Sequence, residues 1–212
     1  MKFLVFEGLD GSGKSSLMAA LEKELVAAKI SVHRTREPGG TPLGEEIREI
    51  IVRRKEGFVP CAKTELLLYE AIRAQHVEET IQPKLKQGVW VLSDRFAASS
   101  VAFQAGGRSL SAEDVVKLND FATSGLKPDL TFLLDLSVEE SRQRRQQRAF
   151  AIGEKEDRIE AEADQFHERV RQSFLHQAKA DASRWQILDA RLSTVQMLEQ
   201  VMTNLRSKKW LL

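Results

Sequence analysis

Eight residues near the amino terminus carry the most specific chemistry in this sequence: Gly8-Leu9-Asp10-Gly11-Ser12-Gly13-Lys14-Ser15 follows the spacing G-x-x-x-x-G-K-[ST]. A loop of this kind binds the phosphates of a nucleoside triphosphate. Its glycines let backbone N–H groups turn inward around phosphate oxygens, at the start of a helix whose dipole favours anions. Lys14 adds a movable positive charge. The Ser15 hydroxyl suits a Mg²⁺ that bridges the terminal phosphates, and Ser16 continues the phosphate-facing turn. Switches, motors and kinases all use such a loop, but the [NT]-K-x-D stretch of a guanine-binding switch is missing, and a motor needs more chain. A small kinase with a second-substrate pocket and a closing lid fits best.

The chain around this loop has 212 residues, enough for one large domain, and we expect a single domain over 1–212. With 42% hydrophobic and 30% charged residues it is neither disordered nor membrane-spanning by composition. Its 32 bases against 31 acids leave a net charge of +1, so no polyanion is advertised as the partner. The one cysteine, Cys61, cannot close an internal disulfide and reads as structural, and the four histidines lack paired metal-ligand spacing. The first residues are too short an apolar run for a signal peptide, so a cytoplasmic protein is expected.

Elements that could position the loop alternate between strand-length apolar runs and longer stretches of helical period, the pattern of a parallel sheet with helices on both faces. Strands are expected at 2–6, 31–35, 89–92, 130–134 and 186–188, and helices at 16–29, 43–52, 64–86, 137–148 and 163–180. The charged, Gly-containing stretch 149–158 joins the last two helices and is the candidate mobile element.

Further candidate residues lie where strands should end, the crevice in which open α/β sheets bind ligands. Thr35-Arg36-Glu37-Pro38-Gly39-Gly40-Thr41 follows the second strand, with Arg48 in the helix beyond. Tyr69 and Arg73, four apart, share a helix face. Asp94-Arg95-Phe96 ends the third strand and runs into Ser99-Ser100-Val101-Ala102-Phe103-Gln104. Together with the phosphate loop these resemble the thymidylate kinase family, in its REPGGT run, its aromatic-x-A-x-R helix, its DR[YFH] strand end and its S-x-x-A-[YF]-Q segment. Asp157-Arg158-Ile159-Glu160 matches that family's D-R-x-E after the lid. The resemblance runs from about Lys2 to Glu160 and, more loosely, to the carboxyl terminus.

The resemblance implies an α/β P-loop NTPase fold with a mostly parallel five-stranded sheet and a lid over roughly 142–160. It implies Mg²⁺-dependent transfer of the γ-phosphoryl of ATP to dTMP, giving dTDP and ADP. Gly8 to Ser16 would bind ATP. For dTMP, Tyr69 would stack on the base and Arg73 would donate to its O4, with Ser100 and Gln104 as further base contacts. Asp10 would hold the 3′-hydroxyl, and Arg48 and Arg95 would grip the acceptor phosphate. Ser15 and Asp94 would serve the metal, and Glu37 resembles the family acid beside the acceptor phosphate. Lys14, Arg95 and Glu37 are thus candidate catalytic residues.

Arg142, Arg144, Arg145 and Arg148 crowd one helix end, where a solvated basic face is the plain alternative. Some family members carry the transition-state arginine inside the phosphate loop and others in the lid. Leu9, Asp10, Gly11 and Ser12 contain no base, so the resemblance implies the lid-arginine subgroup, with Arg145 and Arg148 as candidates and Arg158 behind them. Family members usually have a Gly soon after the last lid arginine, whereas Ala149-Phe150-Ala151-Ile152 precedes Gly153 here, which leaves the choice of arginine open. By the same analogy the resemblance implies a homodimer, while the near-zero net charge leaves no nucleic acid or membrane expected as partner. A nucleotide-binding module without turnover, using the arginine cluster on nucleic acid, is the alternative of a different class.

Overall fold

The run Phe3-Leu4-Val5-Phe6-Glu7 is buried at every position, as a strand is when helices cover both faces of its sheet. The structure is a computed structural model that describes residues 1–53, 59–153 and 156–211. Strand β1 (Phe3–Glu7) leads into α1 (Lys14–Ala27), followed by β2 (Val32–Arg36), α2 (Pro42–Val52) and α3 (Ala62–His76). A π-helical turn (Val77–Ile81) continues α3 into the short α4 (Gln82–Lys86). The winding widens just before Pro83, which cannot donate to the carbonyl four residues back. Then come β3 (Trp90–Asp94), α5 (Ala97–Ser100) with a second π-helical segment (Val101–Gly107), α6 (Ala112–Thr123), β4 (Leu130–Asp135), α7 (Val138–Ile152), α8 (Asp164–Ala180), β5 (Trp185–Asp189) and α9 (Thr194–Ser207).

The five strands form one sheet in the order β2-β3-β1-β4-β5, every neighbouring pair parallel. Strand order therefore reverses at β1, whose carboxyl end is the switch point where such sheets bind ligands. Register brings the functional segments level: Phe6 pairs with Asp94, and Arg36 pairs with Asp94 from the other side. The phosphate loop, the loop from Glu37 and the turn at Arg95 thus leave the sheet side by side.

Alternation along the strands feeds separate cores. Leu4, Phe6, Leu92, Phe132 and Leu134 pack with Leu17, Leu21 and Leu25 of α1 and with Met197, Val201 and Leu205 of α9. On the opposite face, Phe3, Val5 and Val91 meet Val77, Ile81 and Phe96, while Leu133 joins Phe103, Phe166, Val170 and Phe174. The expected fold class is found, a five-stranded parallel sheet flanked by helices.

Helices α6 and α9 and the helical segment from Ala97 to Gly107 were not among the expected elements, although two carry sequence caps. Ser111 accepts from the Asp114 N–H, and Ser193 with Gln196 forms a capping box. The stretch 149–158, expected as a connector, begins as helix, because α7 continues to Ile152 and ends at Gly153 in the left-handed conformation. Residues 154 and 155 of that stretch lie outside the described residues. Cys61 is exposed at the start of α3 and is a free thiol.

Candidate active site

The phosphate loop is shaped by contacts that only glycine permits. At Gly8, φ is +136° and a Cβ would lie 2.4 Å from the Leu134 carbonyl oxygen. Gly13, at φ +92°, starts α1 without any side-chain cap, so the first N–H groups of the helix stay open toward the loop. Lys14 is 6% exposed and folds back over the loop, its Nζ donating to the Gly8 carbonyl at 3.2 Å and the Leu9 carbonyl at 3.0 Å. Burial, reinforced by the Arg95 charge, lowers its pKa against the pull of Asp94, Asp10 and Glu7. The Ser12 hydroxyl is buried with no hydrogen-bond partner, an orphan polar atom inside a loop built for phosphate oxygens.

Ser15 Oγ donates to Asp94 Oδ2 at 3.2 Å, so the two expected metal residues face one another. A hydroxyl and a carboxylate are hard oxygen donors that suit Mg²⁺, which takes few protein ligands and fills its shell with water and phosphate oxygens. Consistent with that, no group of three or more His, Cys, Asp or Glu side chains forms a metal cage among the described residues.

Arg95 sits in a left-handed turn, φ +71°, at the end of β3. Its Nη2 donates to Asp10 Oδ1 at 2.8 Å and its Nη1 to Ser99 Oγ at 3.3 Å, while its guanidinium lies 5.0 Å from the centre of the Phe103 ring. Burial alone would raise the Asp10 carboxyl, but Arg95 and Lys14 outweigh it and hold Asp10 well below the usual carboxylate range. Beneath them is Glu7, fully buried, which accepts from the Phe96 N–H at 3.0 Å and from the Ser99 hydroxyl at 2.7 Å. Its burial outweighs the Arg95 charge 3.9 Å away and pushes it up to about 7.

From this loop a cavity of about 540 Å³ extends across the carboxyl ends of the strands. Its wall includes Asp10, Ser15, Glu37, Arg48, Tyr69, Asp94, Arg95, Ser100, Gln104, Arg145 and Arg148, so most of the sequence candidates meet in one place. Arg48 Nη1 donates to the Pro38 carbonyl at 3.0 Å. Tyr69 is half-buried, and burial, aided by the charges of Glu65 and Asp157, raises its phenol so that it stays neutral at ordinary pH.

Among the expected dTMP contacts Arg73 is the exception, standing behind the wall at 1% exposure. Its Nε and Nη2 both reach Glu37 Oε2 at 2.9 Å. Its Nη1 meets Glu70, Ser100 and Asn119 at 2.7–2.8 Å, and its Nη2 also donates to the Phe96 carbonyl. Glu37 is equally enclosed, its Oε1 3.1 Å from His76 Nδ1. Burial opposes ionisation of Glu37, but Arg73 and His76 lower its pKa overall.

The lid arginines divide. Arg145 is 3% exposed, its Nη1 donating to Ser141 Oγ at 2.7 Å and its Nε to Glu156 at 3.3 Å, while Arg148 is half-exposed and pairs with Glu160. Both line the cavity. Arg144 turns to the Gly11 and Ala190 carbonyls, Arg142 pairs with Glu139 on the exposed surface, and Arg158 is tied to Glu65 and the Ile51 carbonyl. Ser141 Oγ donates to the Asp10 carbonyl at 2.7 Å, which fixes α7 to the phosphate loop.

Glu7, Glu65, His76, Ser99 and Ser141 were not among the sequence candidates. Only Glu7 had a clear signal, an acid closing an otherwise apolar central strand. The others depend on which residues the fold brings beside them.

A phosphate loop after the central strand, opening at the switch point into a cavity of this size, places the molecule in the P-loop class of nucleotide-binding α/β proteins. The sequence model of the family described as thymidylate kinase matches residues 6–201. A thymidylate kinase of Bdellovibrio bacteriovorus is 65% identical over 209 residues, covering 99% of this chain and 97% of that protein. Thymidylate kinases of Synechococcus sp. strain CC9605 and Thermosipho melanesiensis are 46% and 45% identical, each over 84% of this chain and 85% and 84% of the relatives. The chain belongs to the thymidylate kinase family.

Proposed function

We propose that this protein transfers the γ-phosphoryl group of ATP to dTMP, giving dTDP and ADP, and that it acts as a single domain in the cytoplasm. The observation that carries the reading is the one cavity that joins the Ser15, Asp10 and Arg95 end of the phosphate loop to Tyr69 and Gln104. ATP phosphates bind along Gly8 to Ser16, with Lys14 leaving its two backbone carbonyls for phosphate oxygens. Ser15 and Asp94 would hold Mg²⁺, whose charge would neutralise the terminal phosphates.

Arg48 and Arg95 hold the acceptor phosphate in line with the γ-phosphorus, and Glu37 borders that phosphate. An oxygen of the dTMP phosphate forms the new bond to the γ-phosphorus as the bond to the β-γ bridging oxygen breaks, and ADP leaves with that electron pair. Arg145 and Arg148, on the lid over roughly 142–160, meet the charge that develops during transfer. Tyr69 stacks on thymine, and Asp10 accepts from the 3′-hydroxyl. Ser100 and Gln104 meet the base edge. Arg73 donates to O4 by exchanging one of the three acceptors crowded at its Nη1.

A homodimer is supported by the exposed Leu67 of α3 and Phe121 of α6, large apolar side chains on two helices that pack together. No described helix is long and apolar enough to cross a membrane. The reading has neither membrane nor nucleic acid as partner.

Coupled ADP release with a panel of nucleoside monophosphates tests the reading. dTMP should be the preferred acceptor in the presence of Mg²⁺. Equal or faster turnover of dCMP, dGMP or AMP would overturn the substrate claim, and DNA binding at physiological salt without turnover would favour the binding module instead.

A further inference from the structure

Gln104 lines the cavity, yet its amide is not free to choose which end it shows. Its Nε2 lies 2.9 Å from Glu65 Oε1. Glu65 is 1% exposed, in the first turn of α3, where the helix dipole favours a negative charge. Burial opposes that charge, but hydrogen bonds and charge from Arg108, Gln104 and Arg158 outweigh it and keep Glu65 below the usual glutamate range. Arg108 reaches Glu65 through Nε and Nη2, both at 3.2 Å, and Arg158 through Nη2 at 2.7 Å. Arg158 is itself braced by the Ile51 carbonyl at 2.8 Å. An ionised carboxylate only accepts hydrogen bonds, so the amide arm facing it must be the NH₂. No described residue donates to Gln104 Oε1, the other arm of the same amide.

We propose that Glu65 is the positioning residue for base specificity: by taking the Gln104 N–H it leaves the Gln104 carbonyl for the cavity, selecting a pyrimidine that carries hydrogen on N3. Thymine has that hydrogen. Cytosine offers a bare acceptor at N3, which would face a second acceptor, and a site built around one hydrogen-bond pattern rejects the reverse pattern strongly. The inference rests on the reading of Gln104 as a base contact. It adds that the discrimination comes from a carboxylate acting through Gln104.

The test is the ratio of kcat/KM for dTMP to that for dCMP, which does not depend on how much of a variant is folded. In Glu65→Gln the new amide can itself donate, so Gln104 is released to present its NH₂, and the ratio should fall by tenfold or more. Arg108→Gln removes a partner of Glu65 that does not touch Gln104. It should lower the unfolding midpoint while leaving the ratio within about threefold of wild type. An unchanged ratio in Glu65→Gln, or an equal fall in Arg108→Gln, overturns the inference alone. Wild-type protein that uses dCMP as well as dTMP overturns the substrate reading and the inference together.

Discussion

The phosphate-loop end of the cavity and the helix α3 end both concentrate charge, but they satisfy it differently. At the loop, Lys14 has two backbone carbonyls of its own loop as its near partners, α1 starts without a side-chain cap, and the Ser12 hydroxyl has no partner. At α3, Arg73 is bound by Glu37 and Glu70, and Glu65 takes hydrogen bonds from three side chains. Removing charges from water costs several kcal/mol per ion unless partners are supplied. The α3 end has those partners in the protein, so its geometry is set before a ligand arrives. At the loop end Asp10 pairs closely with Arg95, at 2.8 Å, and leaves Lys14 only a long 3.8 Å contact, so anionic phosphates are what complete the partners of Lys14 and the open N–H groups. One end is built to recognise shape and hydrogen-bond pattern, the other to accept charge.

The contrast can be broken by substitution. Arg73→Ala strands Glu37 and Glu70 in the interior and should cost about 3–5 kcal/mol of stability. Lys14→Met, by contrast, should leave unfolding within about 1 kcal/mol of wild type while abolishing turnover. Equal losses of stability in urea unfolding would erase the distinction.

Next in size, Arg95→Ala should reduce kcat/KM for dTMP by about 10²–10³ while triphosphate affinity changes only a few-fold. Normal turnover at low dTMP would contradict the phosphate clamp.

Glu7 lies beneath the loop end, and its pKa rises from the ordinary 4.5 to about 7. For an acid whose folded value is raised, the protonated form is favoured by folding. No penalty exists below pH 4.5; it grows between pH 4.5 and 7 and is constant above, reaching roughly 3 kcal/mol. Glu7→Gln should therefore gain stability relative to wild type as pH rises through that window, and a difference that does not change with pH would contradict the assignment. The smallest effect is expected at Tyr69→Ala, which should weaken dTMP by about 1–3 kcal/mol in calorimetry, with ATP affinity unchanged.

The same contrast explains what could be read from the sequence. The loop end is local: eight consecutive residues specify it, and the strand end at Asp94 follows from the apolar run Val89 to Leu92 that precedes it. The α3 end is assembled from residues far apart in sequence, with Glu65 meeting Gln104, Arg108 and Arg158. Gln104 and Arg108 are four apart, but no spacing rule links that pair to Glu65 or Arg158. Tyr69 and Arg73 share a helix face as expected, yet the roughly 40° between positions four apart puts Tyr69 on the cavity and Arg73 behind it, where Glu37 holds it. Helix α7 outran its expected end because 149–152 carries two alanines and no breaker before Gly153, so helix propensity extended it to Ile152.

A crystal structure with dTMP, an unreactive ATP analogue and Mg²⁺ tests the contrast most directly. Lys14 Nζ should leave the Gly8 and Leu9 carbonyls for phosphate oxygens and Ser12 Oγ should gain a partner, while the Arg73–Glu37 and Glu65–Gln104 bonds stay within hydrogen-bond distance. Nucleotides bound with the loop contacts intact and the α3 contacts broken would contradict the account.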